Sequence, residues 1–126
     1  MRSVCITCTA LAALLLFTLF NSVWLSRRCS DWDDTLNRID RCAVTGQWET
    51  AEAQLDALYR DWQSVQLWLH IIIEHEELDE TEALFCRSVV LAEEEDSVEF
   101  RAHIADLRSQ LQLLRELEEL SMQNIL

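Results

Sequence analysis

Two histidines, His70 and His75, stand in the stretch LWLHIIIEHEELDETE (Leu67 to Glu82) among six carboxylates: Glu74, Glu76, Glu77, Asp79, Glu80 and Glu82. Imidazole and carboxylate together suit zinc or iron, and the same groups can trade protons as general acid and base. On one helix His70 and Glu74 lie four apart, as do His75 and Asp79, so each pair would share a face. His70, Glu74, His75 and Asp79 are therefore the candidate metal or ligand-sensing set. Against it, there is no His-Glu-x-x-His, and no Glu-x-x-His pair recurs on a second helix as a di-iron bundle requires. The plainer reading is turn chemistry. A long helix ending near His75 would hold that side chain at the negative end of its dipole, and Glu76 to Glu80 would fill the acidic first turn of the next helix. No nucleophile, base and orienting group can be assembled, so the expectation is no enzyme and no cofactor.

The remaining reactive residues read as structure. His103 precedes Ile104 beside an apolar seam and is expected to be partly buried. The run Glu93 to Asp96 is a solvated turn, since a calcium loop needs alternating oxygen ligands and a Gly that are missing here. Cys5 and Cys8 have redox spacing but lie in an apolar run without the pocket a dithiol needs. Cys29, Cys42 and Cys86 are an odd number: buried free thiols are the commoner state, and one could crosslink a second copy if exported. Trp48 and Trp62 fall on a seam as core residues, with Trp68 beside it and half exposed.

Charge divides the chain. No acid occurs before Asp31; residues 29–126 carry all 23 acids against seven arginines, a formal charge of −16. Such a surface repels phosphate backbones, so nucleic acid is not an expected partner. One Gly and no Pro leave no Gly-rich phosphate loop.

From Ser3 to Ser26 no side chain is charged, and a helix of about 20 such residues crosses a hydrocarbon core. Trp24 and Arg27-Arg28 are interfacial anchors on one side, Arg2 and the amino group on the other. NSVWLSRRC lacks the small residues of a signal-peptidase site, and no lipobox precedes Cys5, Cys8 or Cys29. The expectation is an uncleaved, single-pass anchor over residues 1–28 and an acidic helical domain over 29–126. Arg27, Arg28, Arg38 and Arg41 against Arg2 would hold that domain in the cytoplasm by the positive-inside rule. A short amino-terminal tail before a long apolar run also acts as a signal anchor that exports the domain behind it.

Apolar residues then recur at helical spacing. Trp48, Ala51, Leu55, Leu58, Trp62, Val65, Leu69 and Ile72 step by threes and fours, a heptad seam that predicts one long helix. Phe100, Ile104, Leu107, Leu111 and Leu114 form a second seam, widened by Leu113, Leu117 and Leu120. Leu78, Phe85, Val89 and Ala92 mark a shorter helix. Trp32, Leu36, Ile39 and Ala43 mark another, which either continues the anchor through Leu25 and Cys29 or starts afresh with Ser30 as N-cap. Gly46 is placed for a left-handed C-cap, and Asp96 with Glu99 for a capping box. The predicted fold class is all-α: a transmembrane helix followed by an antiparallel bundle of three to four helices.

With these residues placed, the chain resembles a family of short bacterial proteins, largely from spore-forming Gram-positives, known only as a domain of unknown function. The resemblance rests on the amino-terminal apolar helix, the Gly46-Gln47-Trp48 turn followed by ETAEAQLDALYRDW, the HEELD junction from His75 to Asp79, and the terminal Asn124-Ile125-Leu126. GQWETAEAQL is also similar to one helix of a tetratricopeptide-type repeat. The family resemblance implies an uncleaved anchor in the cell membrane with its helical domain outside the cytoplasm, and a recurrent histidine at His75. The expected function is a membrane-anchored interaction or accessory module, with a membrane protein or a second copy as partner. Trp48, Leu55, Leu58, Trp62, Leu69 and Ile72 are its seam, structural or interacting; the alternative is a sensor built on the His70/His75 cluster.

Overall fold

The computed structural model describes residues 1–125, so Leu126 of the terminal Asn-Ile-Leu lies outside the described residues. Five helices succeed one another: α1 (Arg2–Val44), α2 (Trp48–Ser64), α3 (Gln66–Ile72), α4 (His75–Glu93) and α5 (Ser97–Ile125). The fold is all-α, as predicted. α1 lies against α2 and α5, and α4 closes the square against the same two. Neighbours run antiparallel: Arg101 binds Asp40 and Arg108 binds Asp33, so α5 descends as α1 rises in matched seven-residue steps.

α1 is one uninterrupted helix of 43 residues, about 65 Å long at 1.5 Å per residue. Of the two starts considered for the first bundle helix, continuation through Leu25 and Cys29 is the one adopted. Ser30 sits mid-helix. No Gly or Pro stands anywhere in Arg2–Val44, and Leu25, Cys29, Trp32, Leu36, Ile39 and Ala43 are all buried. With an unbroken apolar stripe on one face, the chain has no local reason to end the helix at the change of composition.

The seam expected along one long helix is divided between two. Ala51, Leu55, Leu58, Trp62 and Leu69 are buried, but the helix breaks at Val65, whose backbone (φ −105°, ψ 6°) closes a tight turn in which its N–H donates to Trp62 O at 3.3 Å. The three-four stepping survives this turn, which is why periodicity alone missed it. A second correction concerns the end of the seam. Ile72 is only half-buried, and the next residue, Ile73, turns extended (φ −128°, ψ 147°) and takes the buried place. Three consecutive β-branched isoleucines, stiff at χ1, are weak helix formers.

That extended pair, Ile73 and Glu74, also moves the predicted junction. Glu74 is the N-cap and His75 the first residue of α4, so His75 lies at the positive end of a dipole; His70, in the last turn of α3, occupies the place expected of it. Glu76 and Glu77 do fill the first turn of α4.

The α1–α2 turn is as predicted. Gly46 has φ 74°, its N–H donates to Ala43 O, and the Gln47 N–H donates to Cys42 O. These are the paired bonds of a Schellman cap. The α4–α5 turn repeats the pattern, with Asp96 N–H donating to Leu91 O and Glu95 N–H to Ala92 O. Here the left-handed position is held by Glu95, at φ 55°, where a Cβ crowds the backbone. Asp96 Oδ1 then accepts the Glu99 N–H at 3.1 Å, one half of the expected capping box. Glu95→Gly should therefore stabilise the bundle by about 1 kcal/mol, the relief of the left-handed strain less the greater freedom of the unfolded Gly chain. Thermal melts of the full-length protein in detergent should show a rise of several degrees; an unchanged or lowered midpoint would contradict the strain.

Candidate functional site

The chemistry-bearing groups gather at one end of the bundle, where α1 emerges from it. An 18-residue stretch of α1 has a mean hydropathy of 2.3 and none of it is buried; the helix is long and apolar enough to cross a membrane. Ile6, Leu14, Leu16, Phe17 and Phe20 all face outward, so the segment is apolar around its circumference, as a lipid-facing helix is. Its hydroxyls are internally satisfied: Thr7, Thr9 and Thr18 each donate to the carbonyl four residues earlier at 2.8 Å. That arrangement suits a solvent that offers no hydrogen bonds. Burial begins at Asn21, whose Oδ1 has no partner, and is complete at Leu25.

Polar staples hold the bundle onto this helix. Asp61, near the end of α2, accepts two hydrogen bonds from Arg28 Nη1 at 2.8 and 2.9 Å and one from Trp32 Nε1 at 2.7 Å. Trp32 meets Trp62 edge-on at 5.6 Å between centroids. On the other side of α2, Glu82 of α4 accepts from Trp62 Nε1 at 3.0 Å and from the Tyr59 hydroxyl. Burial first, then these bonds to Glu82 and Cys86, raises the Tyr59 pKa. Tyr59 is thus a protonated donor and not an activated base. Both tryptophan N–H groups in the core have an acceptor, which offsets the cost of burying them.

The histidine cluster is brought only partly together. His75 Nε2 lies 3.4 Å from Asp79 Oδ2, one turn away, and His75 Nδ1 lies 3.3 Å from His70 Nδ1. Glu74 caps α4 with extended backbone, so it does not share a helical face with His70. Both histidines are exposed. Among the described residues, no group of three or more His, Cys, Asp or Glu side chains is placed to hold a metal ion. The seam residues Leu55, Leu58, Trp62 and Leu69 lie inside the bundle, with Trp48 half-buried on Phe100. A charge at Leu69 would disrupt the core before it reported on any partner.

The cysteines are all free: Cys5, Cys8 and Cys86 exposed, Cys42 half-buried, Cys29 buried. Burial pushes the Cys29 thiol up to about 12 despite Arg115 nearby, which leaves it inert as a nucleophile. It borders a polar groove of about 450 Å³ between α1 and α5, lined by three charged residues, Asp33, Arg108 and Arg115, of which the first two bind each other at 2.7 Å. His103 is half-buried, its Nδ1 2.9 Å from Glu99 O.

The next step of the second seam, four residues past Leu114, falls on Glu118, a carboxyl buried on α5 where the spacing calls for an apolar residue. Burial raises its pKa. A carboxyl whose folded pKa exceeds its unfolded value stabilises the fold at low pH and loses that contribution as pH rises through the folded pKa. Glu118→Gln should therefore melt higher than the parent protein at pH 7, with the difference vanishing below the ordinary carboxylate range. Melting curves at pH 7 and pH 3 check this; a difference independent of pH would show that ionisation is not its source.

No curated protein and no solved structure matches the chain. A family model described as Domain of unknown function (DUF4363) matches residues 19–125, from the last turns of the apolar segment through the whole bundle, and the chain belongs to that family.

Proposed function

We propose that the protein is a membrane-anchored, non-enzymatic interaction module, held by α1 in the cell membrane and presenting its acidic bundle to a membrane protein or a second copy outside the cytoplasm. The observation that carries this reading is the continuity of α1. One helix is fully exposed and apolar in its first part and forms a wall of the bundle in its last, from Leu25 to Ala43. A rigid helix shared in this way fixes the height and orientation of the bundle over the membrane, as an accessory subunit needs and a freely tethered domain would not have. The heptad seam serves the core, so on this reading recognition falls to the surface. That surface is strongly acidic, with exposed apolar side chains at Val44, Val90 and Val98.

In-cell crosslinking of the full-length protein, followed by purification from membranes, tests the role. A stoichiometric membrane protein or a crosslinked dimer is the expected result; protein recovered alone would overturn it. Sidedness is tested through Cys86, exposed on α4 away from the apolar segment. A membrane-impermeant maleimide should label Cys86 in intact cells, with Cys86→Ser removing the signal, whereas labelling only after permeabilisation would place the bundle in the cytoplasm.

A further inference from the structure

The acidic part of the chain has one long gap. From Trp62 to Ile73, WQSVQLWLHIII, there is no Asp, Glu, Lys or Arg, and outside the first helix no other run without them is as long. That run forms the last turn of α2 and all of α3. Its apolar side chains are not all used in the core: Leu67 is 81% and Ile71 71% exposed. In water, two large aliphatic side chains one helical turn apart on a seven-residue helix have nothing to recommend them.

Their place in the fold gives a reason. Trp68, between them, meets Phe17 edge-on at 5.8 Å and Trp24 at 6.4 Å between centroids. Counted from Ser3, a hydrocarbon core of about 30 Å takes about 20 residues at 1.5 Å each and ends near Ser22. Phe17 then lies about 7 Å inside the boundary and Trp24 about 3 Å outside it. Trp68 touches both and so straddles the edge of the hydrocarbon, the level at which Trp side chains concentrate. The same level closes the charge on α5. The pairs Arg101 with Asp40 and Arg108 with Asp33 set its register on α1; two further seven-residue steps bring residue 122 beside residue 19. On that register Glu119, the last acid of α5, stands opposite Ser22, and the uncharged Leu120 to Gln123 lie beyond it. Acids thus stop on both flanks of α1 where its apolar segment begins.

We propose that α3 is a second membrane contact, lying in the interface with Leu67, Trp68 and Ile71 against the acyl chains. This rests on α1 spanning the bilayer. It makes the bundle sit on the membrane at two points, so that it cannot swing about α1. The occupant of the exposed face is lipid: the face is continuous with the apolar surface of α1 through the Phe17–Trp68 contact, and it carries no charge to be desolvated. A second copy bound through this face would need the same residues away from the lipid.

Site-specific photocrosslinking separates these cases. The photoreactive p-benzoylphenylalanine replaces Leu67, Ile71, Leu14 or Val98 singly in the full-length protein, reconstituted in vesicles of phosphatidylcholine and phosphatidylglycerol. Position 14 lies in the apolar segment; position 98, 79% exposed, starts α5 at the opposite end of the bundle. All four are exposed, and circular dichroism confirms the fold. Phospholipid adducts found by mass spectrometry should form at 67 and 71 nearly as well as at 14, and several-fold above 98. Lipid adducts at 14 with 67 and 71 no higher than 98, or with protein–protein adducts at 67 and 71, would overturn the contact while leaving the anchor standing. No lipid adducts at 14 would overturn the anchor and this inference together.

Discussion

Everything in this fold hangs on α1 being one helix that meets two surroundings. Its first part has no charged side chain between Ser3 and Ser26 and returns its threonine hydroxyls to its own backbone. Its last part offers a single stripe, Leu25 to Ala43, and relies on α2 and α5 to cover it. Backbone hydrogen bonds run through the change of composition without a break. The exposed apolar part and the wall of the bundle are therefore one continuous helix.

The covering helices are fixed by few, directional polar contacts laid over a generic apolar core. Asp61 gathers Arg28 and Trp32; Glu82 gathers Tyr59 and Trp62. Each carboxylate takes an indole N–H that would otherwise be buried without an acceptor, and losing such an acceptor costs about 1–3 kcal/mol. On the other flank, Asp33 and Asp40 pair with Arg108 and Arg101 one heptad apart. Together with the close-packed Trp32, Trp62, Phe85 and Phe100, these pairs match the turns of α2 and α5 to those of α1.

Local signals were legible where the chemistry is local. Gly46 took the left-handed cap because Gly alone reaches that region without strain, and the seam of α2 is buried as its spacing required. The signals failed where a turn preserves phase or where two rules compete. The turn at Val65 keeps the three-four step, so a count of apolar positions reads straight through it. At the histidine junction, Ile73 and Glu74 turn extended, which gives His75 to the start of α4 and leaves His70 to end α3. Glu95 holds the left-handed position of a Schellman cap without the Gly that would announce it.

Periodicity and charge were enough to give the fold class, the apolar first segment, the acidic remainder and most of each helix's core face, since these depend on side-chain spacing and charge. Packing in three dimensions was needed to show that the apolar segment and the first bundle helix are one, that Asp61 and Glu82 serve as acceptors for tryptophan, and that α3 sets Trp68 between Phe17 and Trp24. Nearly all of these join residues far apart in the chain. Spacing along one helix carries no record of what another helix brings beside it.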